Sequence, residues 1–335
     1  MDITQSIPSG NTISSLSADT PPVATVQPSC LIRIETNAQA YGSISAESID
    51  SGKVSFSEIN RLTGPVFIEG MQPGDVLGFT IQQVDLGPVA YVPYIARWRY
   101  PTFPRARSSI ERYPIRDGSV HISEGLAIDI RPMVGCIATA PANGKLSSLS
   151  PAVRTGGNLD IQHVRAGATI WLPVETPGAL FAIGDVHASM GSNEPLGAGM
   201  ECGGSIAGVF HIARGVSLTG PRIESAGGIH FVGSHRDDDS IARQTAIHAA
   251  WAWLTGDCGL SEHSALAVCA AALDVALGGP AGCNYVASFD IPRLRASGIL
   301  APRLIDSYPE STDNNLRISS LHEIPMTTLK GEKTR

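Results

Sequence analysis

The stretch ALFAIGDVHA, Ala179–Ala188, is where the reading of this chain begins. It is a short apolar run that opens just after Pro177 and Gly178, and it reads as a β-strand. Side chains two apart on a strand share a face, so Asp185 and His187 look the same way. Asn158 and Asp160 in TGGNLD repeat that spacing. Glycines precede both pairs, which removes competing side chains and allows close backbone approach. Carboxylate oxygens with one imidazole suit Zn²⁺, Mn²⁺ or another divalent ion, whereas a thiolate-bound structural zinc is excluded. Glu194 and Glu201 add two more acids nearby. By spacing alone two readings stay open: a metal or catalytic site, and a set of Asx-type turns with a satisfied histidine.

Outward from that stretch the chain keeps alternating. Cys30, Ile32 and Ile34 face away from Leu31, Arg33 and Glu35, a strand pattern. GPVFIEGMQPGDVLGFTIQQVDL predicts strands at Val66–Glu69 and Val76–Val84, joined by a turn at Pro73–Asp75 that occupies Asp75. Further short strands follow through residue 235, among them ATIWLPVE and IAGVFHIARG. The helices come late. DDDSIARQTAIHAAWAWLTGDCG has acids at its start and Gly256 near its end. SEHSALAVCAAALDVALGG has Ser261 as N-cap and Gly278 as stop, which places Asp274 inside an apolar helix and calls for a buried structural bond there. Both helices are apolar over wide faces and are expected against sheets.

The fold class expected is therefore α+β, predominantly β: packed β-sheets or a sandwich with a late helical pair. Residues 1–22 read as a flexible tail, 23–130 as an N-terminal β-rich part, 131–300 as the metal-site part with the helical pair, and 301–335 as a C-terminal segment. Residues 23–300 are expected to form one compact unit.

Composition narrows the function classes. A chain of 335 residues with 43 % hydrophobic and 16 % charged residues has ample material for a core, and Gly 35 with Pro 23 fits many turns. A net charge of −7 gives no electrostatic footprint for nucleic acid. The first twenty residues lack a basic and an apolar region, so no signal peptide is read, and no apolar run is long enough to span a membrane. Six cysteines without a C-x-x-C pair read as reduced, mostly buried thiols of a cytoplasmic protein. Arg97, Arg99, Arg105 and Arg107 are interleaved with aromatics, a pattern that in an acidic chain favours an exposed loop or subunit contact over single-strand binding. The other histidines lack a D-x-H partner, so packing or surface roles are expected for them.

Taken together, MVGCIATAP, TGGNLDIQHVRAGATIWLPVETPGALFAIGDVHASMGSNE and LTGPVFIEGMQPGDVL resemble the acetamidase/formamidase family over roughly residues 25–290. The resemblance implies a β-rich fold with helices packed on sheets, hydrolysis of small amides with release of ammonia, and a divalent metal. Zinc is the first choice, with Mn, Mg or Ca as others. Carried over by position, it implies Asp160, Asp185 and His187 as ligands, then Glu201 and Asn158. Glu194 would be general base and proton shuttle, with His187 also at the reacting centre. The family pattern G-D-x-H-A-x-Q-G-D-G-E departs here at three places: Met190 for glutamine, Ser192 for aspartate and Asn193 for glycine. These three are the candidate substrate-contacting residues, since methionine cannot donate a hydrogen bond and serine brings no charge.

Three functions follow from the resemblance. The first is metal-assisted hydrolysis of a linear amide. The second keeps fold and metal but takes a larger or cyclic amide, or runs a condensation, with Met190 and either Trp98 or Trp171 shaping a bulkier pocket. The third is a non-catalytic binding descendant. Backbone N–H groups of Gly156–Gly157 or Gly203–Gly204 are candidate oxyanion donors. Cys202, which follows Glu201, lacks the positive partner a thiolate nucleophile needs. The expected partners are a small amide and further copies of the chain, as a homodimer or higher homo-oligomer.

Overall fold

The computed structural model describes residues 3–54, 59–95, 108–192 and 194–307. Arg97, Trp98, Arg99, Arg105, Arg107 and Asn193 lie outside the described residues.

Antiparallel pairing dominates the sheets. The strand Val76–Tyr94 runs along Glu201–Ala213, from Val76 opposite Ala213 to Tyr91 opposite Glu201. Two register shifts along that pairing bend the strands as extra residues are accommodated. Glu201–Ala213 pairs in turn with Leu31–Thr36, and Thr169–Pro173 pairs with the Val76 end. Asp75 takes the role expected of it: its Oδ2 accepts from Gln72 N–H at 2.9 Å and closes the turn before that strand.

The core sits where these strands face each other. Phe79, Phe181 and Phe210 come from three strands and meet with ring centroids 5.2, 4.8 and 5.0 Å apart. Each is fully buried, a contribution of about 1.5–3 kcal/mol per side chain before entropy is counted. Trp171 belongs to the interior as well: it is 0 % exposed and its Nε1 donates to Glu224 Oε2 at 3.0 Å.

Three neighbouring strands place the acids. Met133–Ala138 is the middle one, hydrogen-bonded on one edge to Gly156–Asn158 and on the other to Phe181–His187. All six of its residues are buried, as suits an inner strand covered on both faces. The two quoted motifs, GGNLD and GDVH, therefore reach each other across a single intervening strand.

The late helices differ from each other. Asp239–Gly256 starts at N-cap Asp238, whose side chain accepts from Ile241 N–H at 3.0 Å. It packs Ala246, Ala250, Trp253 and Leu254 onto the strands Gly228–His235 and Cys283–Asp290. The second helix has the expected cap at Ser261 but ends at Ala272, well before Gly278. Asp274–Leu277 instead forms an edge strand against Tyr285–Ser288, and the sheet satisfies backbone groups that a longer helix would have paired internally. Asp274 is exposed and solvated, so the buried bond expected for it does not arise. That helix is also not sunk into a sheet: Ala265 is its buried residue and Leu266 is 60 % exposed.

The expected free tail is likewise replaced by structure. Gln5–Ile7 pairs in parallel with Ile32–Ile34, Thr12–Ile13 with Leu62–Thr63, and Ser15–Leu16 with Leu146–Ser147. Ile7 and Leu16 are buried at 1 % and 0 % exposure, so this polar-looking segment spends its few apolar residues on the core. Among the described residues no helix is long and apolar enough to cross a membrane.

Candidate functional site

Asp160 follows the strand Gly156–Asn158, while Asp185 and His187 end the strand Phe181–His187. Glu201 opens Glu201–Ala213 directly opposite His187, and Glu194 comes from the loop between those two strands. Four carboxylates and one imidazole so meet in the interior. His187 Nε2 lies 3.3 Å from Glu201 Oε1, 3.5 Å from Asp185 Oδ1 and 3.9 Å from Glu194 Oε1. One ligand atom each from Asp160, Asp185 and His187 falls within 4.8 Å of the others, and the same holds for His187, Glu194 and Glu201.

The backbone is bent to achieve this. Asp160, Asp185 and Glu194 have φ of 46°, 60° and 47°, three of the eight left-handed non-glycine residues among those described. Such a conformation costs of order 1–3 kcal/mol per residue and persists only where surrounding structure enforces it. Glycine makes room for the result. A Cβ on Gly135, in the middle strand, would strike Asp160 Oδ1 and Asp185 Oδ2, and one on Gly199 would come within 2.7 Å of the His187 ring.

Asn158 and Asn60 hold the acids. With its amide nitrogen turned toward them, Asn158 donates to Asp160 Oδ2 at 3.0 Å and Asp185 Oδ2 at 3.3 Å. That orientation makes it a positioning donor and points its oxygen away from the acids. The Asn60 side chain also hydrogen-bonds Asp185. Gly199 N–H donates to Glu201 Oε1 at 3.1 Å.

Crowding acids in a buried site displaces their proton equilibria. Burial, then the neighbouring Asp185 charge, holds the Asp160 carboxyl well above the usual carboxylate range. Burial pushes Glu194 up to about 10, with Asp160 adding to it, and raises Glu201 as well. Burial also works against Asp185, but the charge of His187, 3.5 Å away, with help from Asn60, outweighs it and holds that carboxyl low. Burial opposes the imidazolium of His187, yet Glu201 and Asp185 lift it well above the usual histidine value.

The donor set fits a divalent ion. Both ring nitrogens of His187 and Asp160 Oδ1 are buried without a hydrogen-bond partner, which ordinary packing avoids. Oxygen donors with one imidazole match Zn²⁺ or another borderline-to-hard divalent cation.

A cavity of about 40 Å³ opens onto the cluster. Asn60, Asn158, Asp160, Asp185, Glu194 and Glu201 give its lining carboxylates and amides, and Tyr41, Pro93, Leu149, Gly197 and Ala198 complete it. Burial, then the charges of Glu201 and Asp185, keeps the Tyr41 phenol protonated far above its usual range. Met190 is half-buried and Ser192 exposed, and neither is among the residues lining this cavity. Cys202 is buried with its thiol pushed up to about 11 by that burial, an inert rather than nucleophilic state. Two of the four glycine amides considered for an oxyanion are engaged: Gly156 N–H donates to Val153 O at 2.9 Å and Gly204 N–H to Thr36 Oγ1 at 3.2 Å. Two larger hollows, about 270 and 460 Å³, lie beside Lys145 and Arg236 and beside Arg116 and His121, away from the acids.

A β-rich fold with helices on its sheets and a buried carboxylate–imidazole cluster defines the class structurally, and the comparisons supply the family. The Acetamidase/Formamidase family profile matches residues 11–150 and 147–272, and the chain belongs to that family. A Schizosaccharomyces pombe protein that carries the formamidase name is 29 % identical in an alignment of 235 positions, covering 51 % of this chain and 55 % of that one. For the acetamidase of Mycolicibacterium smegmatis the values are 26 % over 255 positions, 56 % and 62 %. The match thus spans a little over half the length of these relatives. The crystal structure of a predicted acetamidase/formamidase from Thermoanaerobacter tengcongensis shares the fold at TM-score 0.79 and 23 % identity, covering 89 % of this chain and 99 % of that one.

Sequence reasoning missed Tyr41, Asn60, Gly135 and Leu149. Only Gly135 carried a signal, as a glycine inside a run of buried strand residues.

Proposed function

We propose that this protein is a divalent-metal-dependent amidase that converts a small linear amide and water to a carboxylic acid and ammonia. The observation that carries the reading is the cluster itself: His187 with two unpartnered buried nitrogens among four buried carboxylates, in a chain of the Acetamidase/Formamidase family. Asp160, Asp185, His187 and Glu201 would hold the metal. When bound, a divalent ion lowers the pKa of a water and polarises the amide carbonyl.

The remaining chemistry belongs to the protein. Burial raises the Glu194 carboxyl, so it keeps a proton more readily than an exposed carboxylate. In this reading it gives that proton to the amide nitrogen as the C–N bond breaks, and takes one back from water. Tyr41 stays neutral and offers an O–H donor at the cavity wall. Asn158 and Asn60 fix the rotamers of Asp160 and Asp185. The narrow cavity favours small amides over the bulkier alternative. Six free cysteines agree with a reducing, cytoplasmic setting.

The test is elemental analysis of purified protein with ammonia release from formamide, acetamide, aromatic amides and a γ-lactam. Expected are about one or two bound divalent ions per chain, turnover of the small linear amides, loss of it on chelation, and an inactive Glu194→Gln that keeps its metal. Wild-type-like turnover by Glu194→Gln would overturn its assigned role, and a metal-free active protein would overturn the proposed mechanism.

A further inference from the structure

The cavity lining is chemically mixed: beside the acids and the two asparagines, Pro93, Leu149 and Ala198 present only hydrocarbon. If the amide function lies against the acids, as the amidase reading requires, the acyl chain is left with that hydrocarbon part of the lining, of which Leu149 is the largest side chain. The space is short: about 40 Å³ is far below the roughly 150 Å³ that admits a benzene ring. We propose that Leu149 sets the length of the acyl chain the site accepts.

Leu149 is suited to that by position. It is 37 % exposed, so its side chain stands at the mouth, between solvent and cavity. The backbone that carries it is tied on both sides. Leu149 N–H donates to Ser147 Oγ at 3.3 Å, and the Ser150 hydroxyl donates to Ser147 O at 2.8 Å. Ser148 N–H donates to Ser14 O at 3.3 Å, while Ser147 pairs with Ser15. Past the turn, Pro151 bridges to Asn158. A side chain on a braced segment translates its size directly into cavity length, because the main chain has little freedom to retreat. The Leu149 side chain carries no polar atom, so it can meet a substrate only through its hydrocarbon.

One methylene in an apolar pocket changes discrimination by roughly 10–200-fold. Leu149→Ala removes three carbons from the mouth, so kcat/KM for butyramide relative to acetamide is expected to rise at least tenfold. Leu149→Phe is expected to do the reverse, retaining formamide while losing acetamide. The experiment measures ammonia release from formamide, acetamide, propionamide and butyramide for wild type and both variants. NMR titration of the same four amides against each protein runs in parallel, with thermal unfolding to confirm that the variants are folded. A butyramide-to-acetamide ratio within twofold of wild type in Leu149→Ala, in turnover and in binding, overturns the assignment, as does absence of amide binding by the wild type. If wild type binds amides without releasing ammonia and the binding ratio still shifts, the role of Leu149 stands and the hydrolytic reading falls.

Discussion

Gly135→Ala tests whether the cluster depends on the narrow gap between its two ligand-bearing strands. Val134 pairs with Val186 and Cys136 with Gly184, which sets Gly135 across from Asp185. On its other edge its carbonyl accepts from both Leu159 N–H at 2.9 Å and Asp160 N–H at 3.1 Å. A methyl group here meets Asp185 Oδ2 at 2.5 Å and Asp185 Cγ at 3.0 Å, with Asp160 Oδ1 closer still. Restoring ordinary contact at 3.4 Å moves the Asp185 carboxylate by about 0.9 Å. Both acids are held by Asn158 and line the cavity, so either can yield only by moving out of its place in the cluster. Overpacking of this kind costs about 1–3 kcal/mol in stability. The functional loss is larger, since reacting groups tolerate about 0.5 Å and a 1 Å misplacement costs about 100-fold. Gly135→Ala should therefore remain folded, with a urea midpoint lowered by that stability increment, and fall about 100-fold in kcat/KM and measurably in metal content. Turnover within threefold of wild type with full metal content would refute the close-approach reasoning.

Two further outcomes concern stability alone. Glu224 accepts from Trp171 Nε1, Leu304 N–H and Ile305 N–H and stands 2.6 Å from Arg222 Nη2, with Arg222 only 3 % exposed. Arg222 keeps a second partner in Asp257 Oδ2 at 2.9 Å, but Glu224→Ala leaves the Trp171, Leu304 and Ile305 N–H donors without their acceptor and should lower unfolding free energy by about 2–4 kcal/mol in urea titrations; a loss below 1 kcal/mol would show Glu224 to be dispensable. His211 and His230 are depressed to about 4 and about 3, chiefly by burial. Their folded values lie below the ordinary 6.5, so the unfolded chain takes up protons first. Stability is full above pH 6.5 and is lost as pH falls toward 4, by about 3 kcal/mol for His211 once it is fully protonated. Urea midpoints between pH 7 and 4.5 should fall accordingly, and a His211→Gln variant with an unchanged slope would remove His211 as a source.

The legible part of this molecule was the part written locally. GDVH and GGNLD announce themselves because a two-residue strand period and preceding glycines are visible in a few letters. The cap at Ser261 and the alternation at 30–35 are equally local. What escaped depends on partners distant in sequence. Asn60 touches Asp185 and Tyr41 lines the same cavity, yet nothing in their neighbourhoods marks them. Asp274 looked helical because Ala-rich sequence surrounds it, and the edge of a sheet decided otherwise. The first twenty residues looked free because they are polar, while the structure uses their backbone groups, which every sequence possesses. The left-handed conformations at Asp185 and Glu194 leave no trace in residue type, for glutamate least of all.

The pairing of Ser15–Leu16 with Leu146–Ser147 has a consequence for how the protein acquires its selectivity. The two ends of that contact are about 130 residues apart in the chain, a separation that makes closure slow and late among folding events. The loop presenting Leu149 is braced by it, whereas the acids sit on strands paired with one another. Chemistry and discrimination are therefore assembled by different segments. A chain clipped within its first sixteen residues would keep its acids in place and lose its measure of what to accept, becoming less particular before it becomes less active.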